Sequence, residues 1–183
     1  EKGVKMEWLK VVQVNACTLL KKTKREAFEK QFKVAKVAIY GAQETRSKKE
    51  GIEEREDCFA VSSKATQKGQ YGCECGIMKN IAFAKKDGKP IGITKEAIRM
   101  IETDPRYLRL EVAMTGFTMM IGVAHAPWGM SEESKSWWKD FRKIWKDKSK
   151  GYQNVLLLID GNVQVKAESN YNVGKIASKK GSM

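Results

Sequence analysis

The sequence predicts an α/β fold, and three observations predict it. Val155-Leu156-Leu157-Leu158-Ile159 is a branched apolar run without a polar interruption, the pattern of a strand buried on both faces and so covered by further layers. Two earlier β-branched runs, 9–14 and 37–41, bracket a segment of helical periodicity, the order of a strand–helix–strand crossover. Residues 107–113 and 118–124, joined at Gly116, read as an antiparallel hairpin with one buried face. At 183 residues and 42% hydrophobic content the chain is the size of one domain with a sizeable core. The expectation is therefore a single domain over 1–183, with a Lys, Ser and Gly tail at 178–183.

Taken in order, the run from Leu9 to Val14 is the first strand, with Asn15 at its carboxyl end. From Lys24 to Lys36, Ala27, Phe28, Phe32 and Ala35 recur at helical spacing, which predicts an amphipathic helix with a basic outer face. The second strand, from Val37 to Gly41, runs into Gln43, Glu44, Thr45 and Arg46. Residues 47–57 read as a charged loop, 59–62 as a short strand, and 64–76 as a polar loop leading into Ile77 and Met78. The glycines at 69, 72 and 76 lack the spacing of a phosphate-cradling loop and read as turn and strand-edge residues. Residues 87–90 form a turn.

The hairpin's second arm delivers His125 at its end, followed by Ala126-Pro127-Trp128. Ser131, Glu132 and Glu133 open a helix, because the hydroxyl caps free amides and the acids complement the dipole. Trp137, Trp138, Phe141, Ile144 and Trp145 then form a stripe at helical spacing, read as core packing rather than a base-stacking platform. Gly151 ends that segment before the run at Val155.

Lys and Arg outnumber Asp and Glu 35 to 22, a formal charge of +13. That excess fits a polyanionic partner such as nucleic acid, and equally a solvated Lys-rich surface. Cysteines fall at 17, 58, 73 and 75, with no second close pair or His cluster. Structural zinc is not indicated, and reduced thiols in an intracellular protein, nuclear or cytoplasmic, are the expectation. No apolar run approaches the ~18 residues of a membrane span, so no membrane role is expected. The sequence begins at Glu1 rather than Met, which leaves a removed targeting segment open.

Taken alone, Asp160-Gly161-Asn162 reads as a turn. What lifts it above one is that separate strand ends carry Asn15, Glu44, His125 and Asp160 with Asn162. The residues Val14-Asn15, Ala42-Gln43-Glu44-Thr45-Arg46, Gly72-Cys73, Val123-Ala124-His125-Ala126-Pro127 and Ile159-Asp160-Gly161-Asn162 together resemble the endonuclease/exonuclease/phosphatase superfamily, the fold class of deoxyribonuclease I. Their order looks most like the retroelement-type and apurinic-site endonuclease branch, over about Leu9 to Gly174. The resemblance implies a two-sheet, four-layer α/β sandwich with the site at one end, where the strand ends gather.

It also implies a Mg²⁺-dependent phosphodiesterase acting on DNA, with Mn²⁺ a possible substitute and little sequence preference. By the resemblance, Glu44 is the main metal ligand and Asn15 sits beside the metal; Asp160 positions or deprotonates the attacking water. Asn162 donates to a phosphate oxygen, His125 contacts the phosphate and protonates the leaving group, and Arg46 binds phosphate or forms a surface ion pair. Competing readings are an inactive, basic nucleic-acid-binding remnant and a phosphomonoesterase or lipid-headgroup phosphodiesterase of the same superfamily.

Two departures bear on this. The superfamily usually has Gly before the Asp of the last motif, where this chain has Ile159; Gly161 between Asp160 and Asn162 is expected to loosen the placement of Asn162. Family members also continue through further strands to an Asp-His pair, whereas no His follows His125 here. The expectation is an amino-terminal portion of the domain with the carboxyl-terminal strands missing, weak or inactive because losing an acid-base group costs roughly 10²–10⁴-fold in rate. No obligate protein partner is expected, and an exposed sheet edge invites self-association.

Overall fold

The computed structural model describes residues 5–129 and 131–162. In chain order the elements are β1 (Lys5–Met6), β2 (Val11–Asn15), α1 (Lys22–Val34), β3 (Ile39–Gln43), β4 (Gly51–Glu54), β5 (Cys58–Ser62) and β6 (Cys73–Met78). There follow β7 (Ala84–Lys86), β8 (Lys89–Ile91), a short 3₁₀ turn, β9 (Ile98–Asp104), β10 (Tyr107–Met114), β11 (Phe117–His125), α2 (Glu132–Lys148) and β12 (Asn154–Asp160). One sheet has the order β2-β3-β6-β5-β4 and a second β12-β11-β10-β9; β1, β7 and β8 form a small third sheet. Among the described residues β2 with β3 and β11 with β12 pair in parallel, and the other ladders are antiparallel.

The two large sheets face each other. Because side chains alternate along a strand, Ile39 of β3, Phe59 and Val61 of β5, and Cys73, Cys75 and Ile77 of β6 point inward from one sheet. They meet Leu108, Leu110 and Val112 of β10, Ile121 and Val123 of β11, and Leu158 of β12. A Cβ on Gly41 would lie 2.7 Å from the Leu158 side chain, so the bare backbone of β3 is what lets β12 approach. On the outer face of the first sheet Phe28 and Phe32 of α1 pack with Val37, Tyr40, Ala42, Cys58, Ala60 and Met78. On the outer face of the second sheet Trp137, Trp138, Phe141 and Trp145 of α2 cover Tyr107, Ala124, Leu157 and Ile159. Helix, sheet, sheet, helix is the four-layer sandwich.

α1 also seats charge against its sheet. Arg55 holds Glu74 through both guanidinium nitrogens, at 3.1 and 2.8 Å, Glu29 of α1 at 2.8 Å and Glu53 at 2.8 Å. Tyr40 Oη and Ser62 Oγ donate to the remaining lone pairs of Glu74, at 2.9 and 3.0 Å. Burial pushes the Glu29 carboxyl up and Arg55 opposes that rise, one planar guanidinium hydrogen-bonding both buried acids.

Several elements depart from the sequence reading. Residues 73–76, read as the end of a loop, belong to β6, which is buried along its whole length, its one acid satisfied by Arg55. The charged stretch 47–57 contains β4 at the sheet edge, where exposed acids are tolerated. The apolar run at Val155 is a strand with layers on both faces, as read, but β12 has β11 on one side and, among the described residues, is the edge of its sheet, with Val155 43% exposed. In the aromatic stripe, Ile144 turns outward while its neighbours stack. Ser131 caps α2 as expected, its Oγ accepting from the Ser134 amide at 3.1 Å. The tail at 178–183 lies outside the described residues.

Two outcomes follow. Gly41→Ala drives a methyl into Leu158 and lowers stability by about 1–3 kcal/mol, read from the urea midpoint. Of the four thiols only Cys17 is exposed, while burial pushes Cys58 up to about 12 and raises Cys73 and Cys75 as well. Iodoacetamide at pH 8 therefore labels one cysteine in the native protein and four after denaturation, counted by mass spectrometry.

Candidate functional site

The alternation that fills the core also builds the site. Inward-facing positions of β11 run through Ile121 and Val123 and end at His125; those of β12 run through Leu158 and end at Asp160. The parallel register pairs His125 with Asp160, and the β2–β3 register pairs Asn15 with Gln43. All four strands finish at the same end of the sandwich, so their last inward side chains converge without any one loop arranging them.

Asn15 is the hub. Its Nδ2 donates to Glu44 Oε1 at 3.0 Å and to Asp160 Oδ2 at 3.1 Å, bridging the two sheets, while its Oδ1 accepts the Cys17 amide at 3.1 Å. His125 Nε2 lies 3.5 Å from Glu44 Oε1. The four residues predicted from strand ends are thus one cluster. Asn162 stands beside it: its amide meets Asp160 Oδ1 at 3.3 Å and its Nδ2 donates to Ala126 O at 2.8 Å. Next to Gly161 the left-handed turn falls on Asn162 itself (φ 45°), a residue type that tolerates it. Arg46 is exposed, next to Glu44 but outside the hydrogen-bonded cluster.

The backbone around the cluster is unusual. Glu44 (φ 55°), Arg46 (φ 57°), Tyr71 (φ 65°) and Asn162 are all left-handed without being glycine, which costs about 1 kcal/mol or more apiece. Neighbouring chain holds them: Thr45 N donates to Gly72 O at 3.0 Å and Arg46 N to Tyr71 O at 2.8 Å. Strained positions gathered at strand ends and fixed by their surroundings mark a functional site better than any one residue type.

Two residues escaped the sequence reading. Arg106, in the β9–β10 turn, stacks its guanidinium 3.7 Å above the Tyr71 ring and donates to His125 O at 3.2 Å. Tyr71 in turn packs against the His125 ring, centroids 5.7 Å apart. Gly72, adjacent to Tyr71, was part of the sequence motif; nothing near Arg106 marked it, because its role comes from a turn meeting a loop 35 residues away. Burial under these groups lowers the His125 pKa below its ordinary 6.5, with Arg106 adding to the fall and Asp160 and Glu44 opposing it. His125 Nδ1 and Gln43 Oε1 are buried polar atoms without protein partners at the floor of the cluster.

The donor set suits a hard cation. Two carboxylates, Glu44 and Asp160, converge on Asn15 Nδ2 from the two sheets, and Mg²⁺ asks for one or two carboxylates while keeping several waters. Among the described residues no group of three His, Cys, Asp and Glu side chains forms a closed metal cage, so a cation here would be held by Glu44 with few protein ligands. A cavity of about 450 Å³ opens elsewhere, on the outer face of the first sheet between Arg25, Thr45, Lys49, Arg55 and Glu74.

The chain is similar in structure to the endonuclease domain of TRAS1, a telomere-specific non-LTR retrotransposon, with TM-score 0.56 and 12% identity over 86% of this chain and 61% of that one. It is similar to the human Nocturnin catalytic domain, with TM-score 0.51 and 13% identity over 85% of this chain and 64% of that one. It also resembles a humanized D. rerio TDP2, with TM-score 0.50 and 10% identity over 85% and 67%. The chain thus spans about three fifths of the length of the first two. No family model and no curated protein matches the sequence. At these identities the likeness shows the fold, a deoxyribonuclease I-like sandwich, as the sequence motifs implied.

Because His125 is the only histidine, its protonation is directly readable by NMR. Its ring protons titrate below 6.5; Glu44→Gln moves the midpoint lower and Arg106→Gln moves it higher, the opposite order contradicting the geometry. With the folded value depressed, the unfolded chain takes the proton first. Stability is therefore full above about pH 6.5 and falls as pH drops through the folded value.

Proposed function

We propose that this chain is a metal-dependent phosphodiesterase of the endonuclease type, hydrolysing DNA backbone with Mg²⁺. The observation that carries the reading is the convergence of Asn15, Glu44, His125 and Asp160 at one end of the sandwich. The formal charge of +13 supports a polyanionic substrate, and one of the similar structures is described as an endonuclease domain.

Glu44 would hold the cation, which neutralises charge on the phosphoryl oxygens when bound. The remaining work falls to the chain's own side chains. Asn15 keeps two carboxylates close together by donating to both, so Asp160 is fixed where it can orient a water and accept its proton. His125, neutral at pH 7, offers a ring N–H to a phosphate or leaving-group oxygen. Asn162 has a second amide hydrogen for phosphate, and Arg46 and Arg106 place positive charge at the rim. Among the described residues both helices pack on the outer faces of the sheets, so the chain is expected to follow backbone rather than sequence.

One observation favours a second reading. With a single histidine the chain has one imidazole to offer for protonation and deprotonation, which fits a basic DNA-binding protein with little or no turnover. The two readings separate on supercoiled plasmid. The nuclease reading predicts nicking in Mg²⁺ that is abolished by EDTA and reduced about 10²-fold or more by Glu44→Ala and by Asp160→Asn. Folded protein that retards DNA at low salt but does not nick it favours the binding protein, and nicking indifferent to EDTA and both substitutions contradicts the site.

A further inference from the structure

We infer that Trp128 is a stacking platform for an unpaired nucleobase next to the scissile phosphate, giving the proposed phosphodiesterase a preference for distorted or single-stranded DNA over intact duplex. The inference rests on the phosphodiesterase reading and names its substrate class. Trp128 is 75% exposed, whereas Trp137, Trp138 and Trp145 are partly buried against Phe141 or its neighbours under α2. It stands three residues beyond His125, on the segment that links the site to α2.

That segment is held at the site. Ala126 N donates to Asp160 O at 2.9 Å, Ala126 O accepts from Asn162 at 2.8 Å, and Pro127 O accepts from Ser134 Oγ at 3.5 Å. Pro127 fixes its own φ, and Gly129 takes the left-handed turn (φ 81°) on the other side. The indole is thus carried by backbone bonded directly to Asp160 and Asn162. A base whose phosphate lies against His125 and Asn162 would meet that indole, which follows His125 by three residues and Ala126 by two. In duplex DNA the base is already stacked and paired, so only a base free of those contacts gains from a protein ring. Every base presents a π-face, so the contact discriminates unpaired from paired rather than one base from another. Arg106 on Tyr71 shows the opposite case at the same site, an aromatic face already covered.

The test is equilibrium binding by fluorescence anisotropy in EDTA, which removes turnover, using a labelled duplex with one central unpaired nucleotide and the same duplex fully paired. The native chain binds the bulged duplex more tightly. Trp128→Ala weakens the bulged complex on the order of tenfold and leaves the paired one unchanged, and Trp128→Phe keeps most of the preference. Equal affinity of the native chain for both duplexes, or equal losses on both with Trp128→Ala, overturns the stacking role while leaving backbone binding intact. Failure of the native chain to bind either duplex at low salt overturns the polyanion-binding reading and the inference with it. Because the side chain is exposed, the variant keeps its fold, checked by circular dichroism.

Discussion

Leu158 resting on Gly41 is the contact on which the arrangement depends. It sets how near the edge strand β12 comes to β3, and through them how near the two sheets' last side chains come to each other. Strand periodicity does the rest: with Leu158 inward, Asp160 is inward, and the β11–β12 register then brings His125 beside it. A slip of one residue would turn Asp160 outward and the apolar row with it, so core packing and site geometry are enforced by the same register. The bridge from Asn15 to both Glu44 and Asp160 closes across the sheets only at this spacing.

The strand ends are stiff for a different reason. Glu44, Arg46 and Asn162 hold backbone conformations that an isolated chain avoids, and each is tied to another part of the fold: Glu44 through its side chain to Asn15, Arg46 through its amide to Tyr71 O, and Asn162 through its side chain to Ala126 O. A site preorganised in this way gives up less freedom when a ligand arrives. Away from it, the Arg55 cluster adds charge to the apolar contacts of Phe28 and Phe32 that hold α1 on its sheet. Two opposite ways of placing acids therefore coexist: Glu29 and Glu74 are paired with Arg55, whereas among the described residues Glu44 and Asp160 meet amide donors and an imidazole.

The strands that could be read were those with uninterrupted β-branched character, and the members of the polar cluster that could be read were those ending them. Asn15, Glu44, His125 and Asp160 were legible for that reason, and the fold followed from their order. β6 was not legible, since Cys73-Glu74-Cys75-Gly76 has the composition of a loop and becomes strand only because Arg55 satisfies Glu74 and the Tyr40 ring occupies the space above Gly76. The Val155 run was legible as strand but not as edge, because apolar continuity reports burial against facing layers and not the number of ladder neighbours. Arg106 and Tyr71 were invisible, as their contact joins a turn and a loop with no shared periodicity.

The most direct test of the account uses the lone imidazole as a reporter of the carboxylates beside it. Mn²⁺, a paramagnetic cation of similar ligand preference to Mg²⁺, is titrated at substoichiometric levels while the His125 ring resonances are followed by NMR. The account predicts selective broadening of His125 at low Mn²⁺ that excess Mg²⁺ reverses and that disappears in Glu44→Ala. A His125 signal that stays sharp, or broadens equally in the variant, would contradict a cation site formed by the gathered strand ends.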